Sequence, residues 1–525
     1  MRLTLILAVL CVAAASPAVT AIDYLTEGGD QARTGWLREE KTFTPANVMR
    51  TALSWKTKLE SAPREMHNLF PPLIVERARV GGTTREVAIV AGVSNQLFAL
   101  DAWTGQLLWD TRLDTLPVGS AASNTFCPGG QTAVPVIAPA GTSGDYVIYA
   151  LSGDGRLHQI SLGDGKPIGA PEKWVPPNAK VFALNLRDRV LYTTVAQGCG
   201  GVPNAFVSFD LATRRSSAFL PGGGGLWGRR GPTIDSDGVV YMGTGDGPFN
   251  PAVRNLGNAV VAVRLDAKGQ FELVDYFAPK NANWSYERDL DINVSPVAFD
   301  YRGRKFLVAS GKECRVYLLD RDQLGGEDHR TPLDTSPLLC NEQAAIDIGV
   351  WGSITAWQDA QGTQWIVVPF WGAVARRFEA PVEQARPKAG GVAAFKVVQT
   401  RGQWRLQPAW LSRDMTNADE TTVANGIVFT FGNGEDIRQV AYDLPWDRPL
   451  PPVSTYPGAN AGSARRIMNS GHATIYALDA LTGRELWSSR DEVTSFTHFG
   501  GLTVANGRVY LGTYDGTLYC FGLPR

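Results

Sequence analysis

A short phrase that recurs along the whole chain constrains the fold more than any other feature of the sequence. Its clearest copies are Leu97–Gly105 and Ile475–Gly483, each followed a few residues later by a Leu-Trp pair. Alternating apolar residues predict a strand, the Asp, Thr and Gly that follow predict a tight turn, and the Leu-Trp pair begins another strand. Weaker copies lie at Leu157–Gly165, Phe206–Thr213, Val260–Gly269, Val316–Gly325, Val392–Lys396 and Leu518–Gly522.

These eight copies predict an all-β protein, an eight-bladed β-propeller with W-shaped, four-stranded blades. A second apolar strand, usually ending in Gly, precedes most copies, as in Val239–Gly243 and Val509–Gly512. Each unit therefore supplies about four short strands, which is the content of one blade. The 56 Gly and 15 Trp among 525 residues fit tight turns between half-buried strands. A seven-bladed ring is the alternative if the degenerate copy at Val392–Lys396 is an insertion.

The two ends of the chain indicate how the ring closes. The last copy lacks the Thr-Gly turn and the Trp-bearing strand, and a strand of that type is present at Leu53–Thr57. We expect this N-terminal strand to complete the last blade, because closure removes an open sheet edge. Repeats pack only on their neighbours and so escape the size limit of a single core. We therefore expect residues 22–525 to form one domain.

The N-terminus has the pattern of a secretory signal peptide. Arg2 precedes the apolar run Leu3–Ala15, and Val19-Thr20-Ala21 is an acceptable cleavage site. We expect residues 1–21 to be removed and the product to be periplasmic or secreted, although a buried element of the fold is the alternative. No later stretch approaches the roughly 20 apolar residues of a membrane span. The formal net charge of −1 offers no basic field for nucleic acid.

Export favours disulfides, and five cysteines remain after the signal peptide. Because five is odd, at least one thiol stays unpaired, and Cys520 inside a strand-like run is the candidate. We expect the pairs Cys314–Cys340 and Cys127–Cys199, although other pairings are compatible with the sequence. The absence of C-x-x-C-H predicts no covalently attached haem, and no C-x-x-C pair is available for zinc.

Residues just before the first strand of each blade should surround a pocket on the propeller axis. A concave site with a few convergent polar groups is the default location for a ligand. Some of these residues could serve only as turn formers. The positions are Asn68, Trp227, Asp289, Asp291, Trp351, Asn417 and His498.

The blade phrase resembles the repeat of the pyrroloquinoline-quinone (PQQ), or quinoprotein alcohol dehydrogenase-like, superfamily. The resemblance implies PQQ and usually Ca²⁺ on the propeller axis, a small-molecule alcohol substrate and a separate electron acceptor. The repeat alone implies only the fold, since it also occurs in non-enzymatic propellers such as outer-membrane-assembly scaffolds.

Two segments of blade four resemble cofactor-binding segments of the dehydrogenases. Trp227, which follows the glycines at 222–225, resembles the flat floor beneath the quinone, where a π surface suits stacking. Asp246 and Asn250 lie in a segment resembling the one that supplies a Ca²⁺ ligand, and Asp is a suitable hard ligand. The structural alternatives are a blade-packing tryptophan and a turn between strands.

Blade five carries the residues whose resemblance implies chemistry. Asp289 of Asp289-Leu290-Asp291 matches the base that takes the hydroxyl proton. Lys312 matches the cation beside the quinone carbonyls, which would stabilise developing negative charge. Asp291 and Trp351 are the further expected cofactor contacts. An Asp-rich turn, a surface lysine and a core tryptophan are the corresponding structural alternatives.

Two departures from the family pattern leave two hypotheses open. The vicinal Cys-Cys pair is missing, and Cys199 stands where a Ca²⁺-ligating Glu is expected. Losing a carboxylate weakens a Ca²⁺ site. The first hypothesis is an exported quinoprotein oxidoreductase. The second is a non-catalytic propeller that binds protein or carbohydrate.

Overall fold

The computed structural model describes residues 22–116, 126–141, 143–439 and 462–524, so the predicted signal peptide lies outside the described residues. The chain forms the predicted eight-bladed β-propeller. Each copy of the phrase contributes the third strand of a blade, counted from the axis. The alternative of seven blades was wrong, because Val392–Lys396 lies within Gly390–Thr400, the third strand of blade 6.

The strands of each blade run in order from the innermost, next to the axis, to the outermost. Blade 1 comprises Leu73–Val80, Thr83–Gly92, Gln96–Asp101 and Leu107–Arg112, and blade 2 comprises Val136–Pro139, Tyr146–Leu151, Arg156–Ser161 and Glu172–Lys173. Blade 3 comprises Lys180–Val181 with Asn185–Arg187, then Val190–Ala196, Ala205–Asp210 and Arg215–Phe219. Blade 4 comprises Gly225–Trp227 with Thr233–Ile234, then Val240–Gly245, Val260–Leu265 and Phe271–Phe277.

Blade 5 comprises Val297–Tyr301, Arg304–Ser310, Val316–Asp320 and Asp334–Thr335. Blade 6 comprises Thr355–Gln358, Gln364–Trp371, Gly390–Thr400 and Gln403–Leu411, with Val382–Glu383 parallel to the last. Blade 7 comprises Ala418–Ala424, Ile427–Gly432, Thr474–Asp479 and Glu485–Ser488, with Trp36–Leu37 parallel to the first. Blade 8 comprises Leu502–Ala505, Arg508–Gly512, Thr517–Gly522 and Ala52–Lys58.

Among the described residues, few elements lie outside the blades. A short hairpin joins Phe249–Asn250 to Asn255–Leu256. The α-helices are Ala282–Tyr286 and Ser463–Asn469, and 3-10 turns span Val48–Arg50, Cys199–Gly201 and Pro251–Val253. No helix in the described ranges has the length and apolar character needed to cross a membrane.

The tryptophan of the repeat joins one blade to the next. The ring nitrogens of Trp55, Trp109 and Trp410 donate to the carbonyl oxygens of Ala102, Leu162 and Ala480, at 3.1, 2.9 and 3.0 Å. Each acceptor lies in the Asp-x-x-Thr-Gly-type turn of the following blade. The turn and the Leu-Trp strand of the phrase are therefore the two halves of one interface between blades.

The ends of the chain close the ring as the sequence predicted. Ala52–Lys58 runs antiparallel to Thr517–Gly522, with Trp55 opposite Cys520. Cys520 is a buried free thiol in this strand. Closure gives the last strand of blade 8 a backbone partner and removes an open edge.

Residues 22–37, which we call the axial segment, run along the innermost strands and were not foreseen from the sequence. Carbonyl oxygens of Tyr24, Leu25, Gln31, Ala32, Thr34 and Gly35 accept hydrogen bonds from the backbone of blades 1, 2, 4, 5, 6 and 7, at Ile74, Ile137, Ile234, Ala298, Ala356 and Val423. Arg33 donates to Leu184 O in blade 3, and Ile22 N donates to Asn506 Oδ1 in blade 8. The segment thus contacts every blade in turn.

Candidate active site at the propeller axis

A cavity of about 540 Å³ opens on the axis. Most of its lining comes from two positions in the blades, the start of the innermost strand and the end of the second strand. Because these two strands are antiparallel, both positions lie at the same end of the ring. The lining includes Lys180, Gln197, Trp227, Asp246, Asp289, Asp291, Lys312, Trp351, Trp371, Glu435, Arg466, His498 and Phe499.

Three carboxylates and one lysine form the most polar wall. Asp246, Asp289 and Asp291 place carboxylate oxygens within 4.8 Å of one another. Lys312 Nζ lies 2.8 Å from Asp289 Oδ1 and 2.6 Å from Asp291 Oδ2. Asp291 Oδ1 also accepts a hydrogen bond of 2.9 Å from the backbone N–H of Asp246. Carboxylate oxygens grouped in this way are ligands suited to a hard cation.

The close approach of these acids shifts their pKa values in different directions. Burial, reinforced by Asp291, raises the pKa of Asp246 to about 7, although the side chain faces the open cavity. Burial and the two neighbouring carboxylates raise the pKa of Asp289 well above its ordinary value, in opposition to Lys312. Burial also acts on Asp291, but Lys312 and a hydrogen bond from Asp289 outweigh it and lower its pKa. Burial and the neighbouring acids thus favour the protonated form of Asp289, whereas Lys312 favours the carboxylate form of Asp291.

The predicted floor residue, Trp227, connects this acidic wall to a second region. Trp227 is 8% exposed, and its Nε1 donates to Asp246 Oδ2 at 3.1 Å. Lys180 Nζ lies 5.4 Å from the Trp227 ring and 5.1 Å from the Phe499 ring. An indole ring fixed by a carboxylate is a rigid flat surface on which a planar ligand can stack.

A stacked tryptophan pair forms another wall. The rings of Trp351 and Trp371 lie 5.3 Å apart at 15°, and Lys312 Nζ lies 4.9 Å from the Trp351 ring. The Nε1 atoms of both tryptophans are buried and have no acceptor within the described part of the chain. Buried donors normally have partners, so both indole N–H groups remain available to an acceptor.

A histidine–glutamate pair faces the cavity from blades 7 and 8. His498 Nδ1 lies 2.5 Å from Glu435 Oε2, and Arg466 Nη2 lies 3.4 Å from Glu435 Oε1. Burial is the main cause that raises the pKa of Glu435 to about 7 and lowers the pKa of His498 well below its usual value. His498 Nε2 has no partner in the described structure.

A disulfide marks the rim of the same cavity. Cys127 is joined to Cys199, which follows the second strand of blade 3, and Phe126 beside it lines the cavity. Cys314 is joined to Cys340 in blade 5. These are the two pairs expected from the sequence.

The structure brings most of the expected residues together but not all of them. Trp227, Asp246, Asp289, Asp291, Lys312, Trp351 and His498 line the cavity. Asn250 lies instead in the short outer hairpin, where it is exposed, and does not line the cavity. The expectation that it lies at the metal site is therefore corrected.

Two residues of the predicted ring are structural. Asn68 donates to Tyr514 O at 2.6 Å, and Asn417 donates to Glu435 O at 2.9 Å. Neither lines the cavity. Asn417 positions the backbone of a residue that does.

Sequence reasoning missed Lys180, Glu435, Arg466 and Phe499, and it offered stacking at the pocket mouth for Trp371 only as the alternative to core packing. Trp371 and Glu435 occupy the second structural position, at or just after the end of a blade's second strand. The same position supplies Asp246 and Lys312. The residues that follow the second apolar strand of each repeat could therefore have been predicted to line the cavity. Arg466 lies on the helix Ser463–Asn469, within an insertion that no repeat register could place.

Comparisons with known proteins agree with this architecture. The family described as outer membrane protein assembly factor BamB matches residues 390–522, which run from the third strand of blade 6 to the third strand of blade 8. The quinohemoprotein alcohol dehydrogenase from Comamonas testosteroni is 16% identical, with a TM-score of 0.58 over 95% of this chain and 80% of that one. The chain has the PQQ-repeat β-propeller fold.

Two further solved structures show the same PQQ-repeat fold. A europium-containing methanol dehydrogenase is 14% identical, with a TM-score of 0.59 over 95% of this chain and 98% of that one. The quinohemoprotein alcohol dehydrogenase ADHIIG from Pseudomonas putida HK5 is 16% identical, with a TM-score of 0.57 over 95% and 80%. No curated protein sequence matches this PQQ-repeat propeller.

Proposed function

We propose that the axial cavity binds a planar quinone of the PQQ type together with a hard divalent cation such as Ca²⁺, and that the protein oxidises an alcohol-type hydroxyl. Electrons would pass to an external acceptor, and the signal-like N-terminus supports export to the periplasm or medium. The observation that carries the proposal is the three-carboxylate cluster with Lys312, which faces a cavity with a flat aromatic floor.

The residues present fit such a ligand pair. Five acidic side chains line the cavity against two side chains that are held as cations by ion pairs, Lys312 and Arg466. A divalent cation would offset this excess of negative charge and allow an acidic cofactor to enter. The unpartnered N–H donors of Trp351 and Trp371 suit an acceptor-rich planar molecule. Asp246 and Asp291 are the residues that would hold the cation, with Trp227 beneath the quinone.

Asp289 is placed to act as the general base. Asp246 and Asp291 would hold a cation whose positive charge would favour the carboxylate form of Asp289 and so lower its pKa. Asp289 then takes the substrate hydroxyl proton onto a carboxylate oxygen. The ammonium of Lys312 remains beside it and stabilises negative charge that develops on a neighbouring oxygen. When bound, the quinone supplies a two-electron acceptor for the hydride from the substrate carbon.

The test begins with purified protein, PQQ and Ca²⁺. We expect quinone to remain bound after gel filtration and to support dye-linked oxidation of an alcohol. Absence of bound quinone at micromolar protein would overturn the proposal. We expect Asp289→Asn to lower turnover about 10²- to 10⁴-fold, the usual contribution of a general base, with quinone binding within a few-fold of wild type.

The matched control is Asp188→Asn, whose side chain is 89% exposed and lies outside the axial cavity. This variant should leave both quinone binding and turnover unchanged. Full turnover in Asp289→Asn would remove Asp289 from the role of base, while loss of quinone binding in that variant would assign it to the binding site instead.

The second candidate is a non-catalytic propeller that binds protein or carbohydrate. It is favoured by the match of residues 390–522 to a family of assembly factors and by the disulfide-bonded Cys199 at the position expected for a carboxylate. Quinone-free protein that retains an oligosaccharide or a protein partner, with Trp351→Ala abolishing retention, would support this candidate.

A further inference from the structure

Lys180 is a cavity residue to which the proposed mechanism gives no role. It lies on the innermost strand of blade 3, is 3% exposed and lines the axial cavity. Its Nζ has no hydrogen-bond partner, and no carboxylate of the described residues lies within ion-pairing distance. Its neighbours are two aromatic rings, Trp227 at 5.4 Å and Phe499 at 5.1 Å.

Lys312 lies in the same cavity, and its ion pairs hold it in the cationic form. Its Nζ contacts two carboxylates at 2.8 and 2.6 Å, and these acids raise its pKa against the effect of burial. Such an ammonium has no free electron pair and cannot act as a nucleophile. The two lysines therefore line the same cavity, but Lys312 lies against acidic side chains and Lys180 lies against aromatic rings.

The surroundings of Lys180 favour the neutral amine. Burial is the main cause that lowers its pKa to about 7; Arg229 lowers it further and Asp246 acts in the opposite direction. His67 and His498 also face it, and burial keeps the pKa of both well below the usual value, so neither adds a charge near neutral pH. A large fraction of Lys180 is thus unprotonated at pH 7.5.

We propose that Lys180 is a nucleophilic amine that forms an imine with the carbonyl group of an aldehyde or ketone held in the axial cavity. The Nζ electron pair forms a bond to the carbonyl carbon, two protons leave the nitrogen, and the carbonyl oxygen departs as water. The step needs no oxidant, reductant or metal. It goes beyond the proposed quinone chemistry and does not depend on it.

A neutral carbonyl compound suits this position better than a small anion. Arg229, whose charge also acts on Lys180, pairs with Asp419 and does not line the cavity. An anion at Lys180 would therefore meet an amine that is largely uncharged, in a cavity lined by five acidic side chains, whereas a carbonyl group needs no positive charge. The aromatic faces of Trp227 and Phe499 also favour an uncharged, weakly polar ligand.

The test is reductive trapping in the full-length protein without quinone or added metal. Acetaldehyde with cyanoborohydride at pH 7.5 converts an imine to a stable ethylamine, which peptide mass spectrometry locates. We expect Lys180 to be modified about tenfold faster, or more, than Lys312 or Lys166, since most lysines are protonated at this pH. Lys166 is the exposed reference, with a side chain 78% accessible.

The per-site comparison is made in the wild-type protein, so it does not depend on a variant that folds. Lys180→Arg should remove the fast-reacting site and leave the slow ones unchanged. Modification of Lys180 no faster than Lys166 would overturn the proposal. So would an unmodified Lys180 together with phosphate-dependent thermal stabilisation, which would assign the residue to anion binding. A failure to bind PQQ has no bearing on either outcome.

Discussion

Glu27 of the axial segment is buried beside Glu420 and two arginines, Arg33 and Arg230. It is 3% exposed, and the guanidinium of Arg230 is ion-paired with Glu420. Burial, reinforced by Glu420, raises the pKa of Glu27 to about 8, with Arg230 and Arg33 acting in the opposite direction. Glu27 therefore keeps a proton at neutral pH.

Because Glu27 keeps this proton in the folded protein, we expect the free energy of unfolding to depend on pH. In the unfolded chain Glu27 loses its proton near its ordinary pKa of 4.5, whereas in the folded protein it keeps the proton to about pH 8. The stabilising contribution is complete below pH 4.5 and declines as pH rises to about 8, by about 1.4 kcal/mol per pH unit. We expect Glu27→Gln, which retains the shape and a donor, to remove this decline. Urea unfolding at pH 5, 7 and 9 measures it.

The control is Glu379→Gln, because Glu379 is exposed. It should show the wild-type dependence on pH. An unchanged slope in Glu27→Gln would mean that Glu27 is ionised in the folded protein.

At the scale of elements, the interface between blades explains why the repeat keeps its glycine. Gly105 has a left-handed φ of +71°, and a Cβ there would lie 2.5 Å from the Trp55 ring. Thr57 Oγ1 donates to Gly105 O at 2.7 Å across the same contact. The turn of blade 1 and the closing strand of blade 8 therefore fit only without a side chain.

We expect Gly105→Ala to lower the free energy of unfolding by about 2 kcal/mol more than Gly81→Ala, because of the overlap with Trp55. Gly81 has a φ of +58°, but a Cβ there would meet nothing within 4 Å, so it carries the left-handed cost alone. Chemical denaturation of both variants gives the comparison. Equal losses would show that backbone strain, rather than packing on Trp55, requires the glycine.

At the scale of the whole molecule, the axial segment links all eight blades through hydrogen bonds. Its removal would leave the N–H groups of Ile74, Ile137, Ile234, Ala298, Ala356 and Val423 without their acceptors. A buried donor that loses its partner costs about 1–3 kcal/mol. The closing strand therefore pairs within one blade, whereas the axial segment supplies hydrogen-bond acceptors to six blades.

We expect a chain lacking residues 22–37 to lose cooperative unfolding, and a synthetic peptide of residues 22–37 to restore it on co-refolding. The control peptide carries Gly35→Val, because a Cβ at Gly35 would lie 2.6 Å from Arg230 Nη1 and from Thr355 Oγ1. Calorimetry measures the recovered transition. Equal rescue by both peptides, or full cooperativity without either, would contradict the role of the segment.

The sequence by itself determined the ring. Eight copies of a strand–turn–strand phrase, with the missing strand at the opposite end of the chain, predict eight blades and closure because each blade packs only on its neighbours. The structure then removed the seven-bladed alternative. Local spacing was enough for this prediction, and it also predicted Trp227, Asp289 and Trp351 at one end of the axis. The fold could be predicted from the repeat because the residues that recur in it form the contacts between blades.

Only the tertiary structure decided what meets across the axis. Lys180, Glu435 and His498 come from three different blades, and no repeat register states how far apart their side chains lie. The same is true of the axial segment, which matches no repeat and binds through backbone carbonyls that any residue possesses. Contacts between positions distant in sequence depend on the closed ring, so their charges and missing partners become visible only once the ring is built.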